Sequence, residues 1–391
     1  MRCLFCTNLV RNDGAAIVTH TPVLEHLVNK LYRKYVSKSD RTLLNLVFAG
    51  RPTQKMVDDC MAACDIEALG AHKCILLSYL MHERPELTLS EYEAPRIRGL
   101  ITYYRFANMK VLAHFSKIGK ALNEAGIPML LFKGGAMKLL RPDLPRVMND
   151  VDVLIPAERM EEAVRIGEGL GYSHYKEDSR HGVDFHTETE SAVDVHHSIF
   201  DPGHDFRYFH RRLFERAAPQ NAFGVDVLLP CHEDLFFLVM ANFTKNLREH
   251  STLKGLYYAL CDCRFLQHDK KNFDWNIVCE DAVSSDTELE IRFAGEFMNA
   301  IVPGIIADLD ARLPASKDME AFCNQMIFDE DYYLKRQKEC QAIRVVELKN
   351  HPWHYGSRIA KFLIMKKLRH NPAFVRWYLN SRLPQGGRRA H

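Results

Sequence analysis

From residue 21 to about residue 125, apolar residues recur at a spacing of three and four, as in Val23, Leu24, Leu27 and Leu31 and in the cluster Leu43, Leu44, Leu46 and Val47. That periodicity predicts successive helices. Between Tyr103 and Leu122 it predicts one apolar stripe of Phe106, Val111, Leu112, Phe115, Ile118 and Leu122, closed by Gly126 and Pro128. The period then changes. Met129 to Phe132 is a short apolar run that stops at Gly134 and Gly135, the pattern of a buried strand. A second strand is predicted over Val151 to Ile155, then a helix over Ala157 to Leu170 ended by Gly171. Further strands are predicted near 172–175, 183–187, 192–199 and 224–229, and helical spacing returns over His232 to Leu247 and Lys254 to Leu266. The pattern predicts an α+β fold: a small mixed sheet flanked by helical regions, divided as 1–125, 126–230 and 231–391.

At 391 residues and 47% apolar content the chain can bury a substantial core. Fifty-two basic and 50 acidic residues nearly cancel, so no global field marks a nucleic-acid binder, and a polynucleotide acceptor is disfavoured. Eleven cysteines are scattered through helical segments, which fits a reducing cytoplasm better than a disulfide framework. Cys3 and Cys6 have metal-ligand spacing, but no second pair completes a zinc site. Met1 to Arg11 has the form of no signal peptide, and no apolar run is long enough to span a bilayer. Arg358 to Arg382 interleaves Phe362, Trp377 and Tyr378 with Lys361, Lys366 and Arg369; it is expected to be a packed helix with a charged exterior, with peripheral membrane or partner contact as its second reading.

Candidate chemistry lies at the strand ends. Side chains alternate along a strand, so Asp150 and Asp152 share a face with their carboxylates close together. Two like charges there repel unless a divalent cation sits between them. Neutralising Asp152 is therefore expected to relieve strain in the metal-free protein. Asp194, in Ala192 to His196, is expected to face the same way and complete an oxygen-rich set suited to Mg²⁺, with Mn²⁺ the alternative ion. His196 follows at strand spacing, placed to orient a carboxylate, to touch substrate or to serve structure, while His181, Asp184 and His186 on or beside the preceding strand fit a place in the cleft and a plain solvent-facing position equally well. Lys133, Gly134 and Gly135 stand where a strand gives way to a helix, so open backbone amides could receive a triphosphate, with Lys133 or Arg146 supplying charge. Arg146 could instead hold its loop through a carboxylate, and Asp262 reads as an anchor for its own helix.

The stretches Leu131 to Ala136 (LFKGGA), Arg146 to Leu154 (RVMNDVDVL) and Val193 to His196 (VDVH) resemble the DNA polymerase β-like nucleotidyltransferases, and more closely a bacterial family often labelled nucleotidyltransferase family 5. The resemblance extends from about Ser90 to Leu266 and includes Leu260 to Phe265. It implies that Gly134 and Gly135 hold nucleotide phosphates, that Asp150 and Asp152 bind the metal, and that Asp194 is the third acidic residue. The expected function is transfer of a nucleoside monophosphate from a triphosphate to a hydroxyl or phosphate of a small molecule or a protein, with release of pyrophosphate. The rival is an inactive module of the same fold that binds nucleotide or a protein partner, as in a toxin and antitoxin pair.

Overall fold

The computed structural model describes residues 36–48, 51–64, 71–142, 146–174, 182–188, 191–199, 207–250, 254–269, 272–306 and 313. The apolar run at 23–31, the Cys3 and Cys6 pair and the basic segment 358–382 lie outside them. Three short helices come first: α1 (Lys38–Val47), α2 (Gln54–Ala63) and α3 (Ala71–Glu83). The first two begin at side-chain caps, Ser37 receiving the amide of Asp40 at 3.1 Å and Thr53 that of Met56 at 3.3 Å. The long helix α4 (Glu93–Glu124) follows and buries Val111, Phe115, Ile118 and Leu122. Phe106, predicted on the same stripe, is 60% exposed. It lies nine positions from Phe115, about two and a half turns at ~3.6 residues per turn, and so projects from the opposite side.

The sheet is built from β1 (Leu130–Leu131), β2 (Val151–Leu154), β3 (Ser173–His174), β4 (Gly182–His186), β5 (Ser191–His196), β6 (Ala218–Ala222) and β7 (Val225–Leu229). Seven strands lie in the order β3-β4-β5-β2-β1-β7-β6. The pairs β2/β5 and β1/β7 are parallel and the others antiparallel, giving the mixed sheet of an α+β protein. Helix α4 packs across β2, β5 and β7 and covers one face. Gly119 permits that approach: a Cβ there would lie 2.6 Å from a methyl of Val225. Val151, Val153, Val193 and Val195 are all buried. The intervening positions of β2 and β5, Asp152 and Asp194, therefore point to the opposite side.

Helix α5 (Lys133–Leu140) follows β1, and α6 (Met160–Gly169) packs on α4 and β4. Beyond α7 (Arg207–Arg216) and the β6/β7 hairpin, α8 (His232–His250), α9 (Lys254–Asp269), α10 (Trp275–Ser284) and α11 (Glu288–Ile301) form a helical layer around α8. Helix α8 touches α5, and α9 touches α3, so the N-terminal and C-terminal helices meet beside the sheet. No helix among the described residues is long and apolar enough to cross a membrane. Among the described residues, Cys60, Cys64, Cys231, Cys261 and Cys263 form no disulfide.

A buried ionic cluster fastens this layer to the sheet domain. Arg216, the last residue of α7, binds Asp234 of α8 and both oxygens of Asp281 of α10 at 2.7 and 2.8 Å, and both carboxylates are fully buried. Burial pushes the Asp281 carboxyl upward, Arg216 opposes it and Asp234 raises it again. Its folded pKa thus lies above its unfolded value of about 3.9. The stability this group contributes is complete below that value and is lost as pH rises towards neutrality. Arg216→Met should cost about 3 to 5 kcal/mol at pH 8, where two uncompensated carboxylates remain buried. The cost should shrink towards pH 5, as measured by urea denaturation at both pH values; equal losses would show that the cluster does not titrate this way.

Candidate active site

The parallel register of β2 and β5 sets Asp152 directly beside Asp194, and the antiparallel register of β4 and β5 sets Asp184 beside Asp194 in turn. Asp150 precedes β2 in the bend that leads into it. The three sequence-predicted carboxylates thus converge on one face of the sheet at its central strands, and Asp184 is a fourth acidic neighbour whose charge adds to the upward shift of Asp150 that burial and Asp152 begin.

His196 lies two residues beyond Asp194 on β5, and its buried ring spans the pair. Nε2 is 2.9 Å from Asp194 Oδ2 and 3.1 Å from Asp152 Oδ1, while the edge of Phe132 packs on the ring with centroids 5.2 Å apart. Nδ1 is buried with no hydrogen-bond partner. Of the roles open to it in the sequence, the geometry gives His196 contact with both carboxylates, placed to orient them. Burial disfavours its imidazolium, but the two carboxylates outweigh burial and raise its pKa. The ligand atoms of Asp152, Asp194 and His196 all lie within 4.8 Å of one another, a grouping able to hold a metal ion. Asp150 lies outside that tight group, in the wall of the adjoining cavity.

Lys133 enters from the start of α5 and pairs with Asp152 Oδ1. Its backbone is left-handed, with φ +47°. Burial works against ionisation of Asp152, yet Lys133 and His196 together hold it at about 2. Asp150 has no such partner. Burial, then the neighbouring charge of Asp152, push its carboxyl up to about 7 despite Lys133. The like-charge strain expected of the pair therefore falls on Asp150, and Asp152 is the stabilised member.

Gly134 lines the cavity; a Cβ there would lie 3.2 Å from Met148 and 3.6 Å from Arg146 Nε. Gly135 is buried and faces the core, where a Cβ would come within 2.7 Å of Leu131 and 3.1 Å of Val151. The glycine pair thus divides its work between cleft and packing. Arg146 pairs with buried Asp262 of α9 and lies over the Tyr258 ring at 5.1 Å, while its Nε is buried without a partner. This joins the two sequence readings: Arg146 lines the cleft and also ties its loop to the C-terminal helices. Burial raises the Asp262 pKa and Arg146 opposes the rise.

Four contributors had no sequence signal. Asn108, buried in α4, donates to the carbonyl of Arg146 and accepts the amide of Met148 at 3.0 Å, pinning the loop that delivers Asp150. Tyr258, Asn242 and Phe243 come from α9 and α8 to form the far wall of a cavity of ≈ 470 Å³. One wall holds Lys133, Gly134, Arg146, Asp150 and Asp152; the other adds Leu235, Leu238, Val239, Asn246 and Ala259. A cleft of that size, charged on one side and largely apolar on the other, suits a ligand with a polyanionic end and a flat or apolar end.

Comparison with known proteins places this geometry. Residues 75–302 match the family described as uncharacterised nucleotidyltransferase. No curated protein matches the chain. Two solved structures are distantly similar: the antibiotic-resistance factor ANT(2'')-Ia, at 16% identity and a TM-score of 0.33 over 44% of this chain and 89% of that one, and an antigenic nucleotidyltransferase-like protein from Paracoccidioides brasiliensis, at 13% and 0.34 over 53% and 95%. A family match over more than half of the chain decides the matter: the protein belongs to the uncharacterised nucleotidyltransferase family.

Proposed function

We propose that the chain is a Mg²⁺-dependent nucleotidyltransferase that moves a nucleoside monophosphate from a triphosphate to a small-molecule hydroxyl or phosphate. One observation carries the reading: Asp152, in the wall of a cleft with Asp150 and the first turn of α5, stands in register with Asp194 on the neighbouring strand. The donor chemistry fits a hard divalent ion, because the desolvated, unpaired carboxylate of Asp150 beside Asp152 is the group that a cation would relieve. Asp150 and Asp152 would hold that ion with Asp194 beside them, and the His196 nitrogen at the cluster is compatible with Mn²⁺ as well. When bound, the metal supplies Lewis-acid stabilisation of charge on the transferring phosphate.

The chain's own groups do the rest. The amides at the start of α5 and the open face of Gly134 receive the β- and γ-phosphates. Arg146 adds positive charge there, while Lys133 meets the carboxylate of Asp152. His196 fixes the orientation of both strand carboxylates. Asp194, the more open of these two at 27% side-chain exposure, accepts the proton of the acceptor hydroxyl. A bond forms from that oxygen to the α-phosphorus, the bond from the α-phosphorus to the bridging oxygen breaks, and pyrophosphate leaves with the electron pair. Tyr258, Phe243 and Leu238 exclude water and face the base or the acceptor.

The cleft is bounded on its far side by α8 and α9, which favours a small acceptor; a protein side chain is the second choice. The test is release of pyrophosphate from each ribonucleoside triphosphate in the presence of Mg²⁺ and a metabolite extract, with the labelled product identified by mass. Transfer should require the ion and fall by at least about a thousandfold in Asp152→Asn, in keeping with loss of a group essential to charge stabilisation. Pyrophosphate release unchanged by that substitution would refute catalysis at this site.

The same carboxylates should separate in stability. In metal-free protein at pH 8, Asp150→Asn should raise stability by about 1 to 2 kcal/mol, since the ionised carboxylate is desolvated and unpaired. Asp150 has a raised folded pKa, so this gain should fade as pH falls through its value towards about 4. Asp152→Asn should lower stability by about 2 to 4 kcal/mol by leaving Lys133 and His196 without their anionic partner. Thermal and urea melts in chelator decide this: a gain from both substitutions would contradict the assignment of the strain to Asp150.

A further inference from the structure

We infer that the Lys133 ammonium takes the place of the divalent ion that two-ion sites use to activate the nucleophile, so that this site works with one ion, the one that arrives with the triphosphate. The inference rests on the proposed nucleotidyl transfer and specifies how its charge is balanced.

Lys133 pairs with Asp152 Oδ1, so a cation already stands at the innermost of the three carboxylates. An ion shared by the same three groups would have to compete with it. His196 Nε2 reaches that same Oδ1 at 3.1 Å. Both contacts fall on Oδ1, which leaves Asp152 Oδ2 and the carboxylate of Asp150 for an ion coordinated by phosphate oxygens. Asp150 is the one of the three with no hydrogen bond or ion pair among the described residues. The contacts leave one open place for a divalent ion, at Asp150 and Asp152 Oδ2. The backbone agrees as well. Lys133 adopts φ +47°, a conformation that costs a residue with a side chain about 1 kcal/mol and glycine almost nothing. Glycine there would remove the strain and lose the ammonium, which marks the side chain as the reason the strained position is filled by lysine.

The experiment counts ions. Full-length protein, in excess over a non-hydrolysable α,β-methylene triphosphate, is titrated with Mn²⁺ and followed by electron paramagnetic resonance. Wild type should take up one Mn²⁺ per ternary complex, with the spectrum of an isolated ion. Lys133→Met should take up two, with the spin coupling expected of ions about 3.5 to 4 Å apart. Lys133→Arg, which keeps the charge, should remain at one, and Lys133→Gln should behave as the Met variant does. Two coupled ions in wild type would overturn the inference and leave nucleotidyl transfer standing, as would a count that stays at one in both neutral variants. No triphosphate-dependent Mn²⁺ in any of the proteins would overturn the proposed function itself.

Discussion

Carboxylates crowded at the end of two parallel strands repel one another, and the architecture around the cleft answers that repulsion. The β2/β5 register makes the crowding unavoidable, because it sets Asp152 level with Asp194 while the valines on either side are committed to the core beneath α4. A slip of one residue would bury both acids and expose four valines, so the apolar face locks the acidic face in place. Lys133 and His196 then neutralise the inner part of the cluster, and Asp150 is left at the lip with its charge unmet.

Around that point the helices act as clamps. Asn108 reaches from α4 to the loop at 146–148, and Asp262 reaches from α9 to Arg146 in the same loop. The loop that delivers Asp150 is therefore held from both helical regions. Arg216 does the equivalent work farther out, binding α7 to α8 and α10. A cleft assembled from a sheet face and a separately anchored helical wall has its charged and apolar halves on different elements, as positioning a triphosphate against a second substrate requires.

Much of this was legible in the sequence where local rules apply. The alternation around Asp152 and Asp194, bounded by proline and glycine, marked the strands and their shared face. Strand β6 was missed: Ala218 to Ala222 has no apolar alternation, carries Pro219 and lies at the sheet edge with four of its five residues exposed, where a strand needs no buried face. The pairings Asn108 with the 146–148 loop and Arg146 with Asp262 span 38 to 40 and 116 positions, and local pattern carries no information at that range. For the same reason the sequence could name the acidic pair but not say which member bears the strain. That depends on where Lys133 and His196 land, which only the folded register settles.

The central claim is that the acidic cluster is a metal-assisted triphosphate site. Calorimetric titration of the protein with each ribonucleoside triphosphate, with Mg²⁺ and again with chelator, tests it most directly, with an Asp150→Asn, Asp194→Asn double variant as the control. At least one triphosphate should bind wild type only when Mg²⁺ is present, and the folded double variant should bind none. Equal binding with and without the ion, or by wild type and variant alike, would contradict the account.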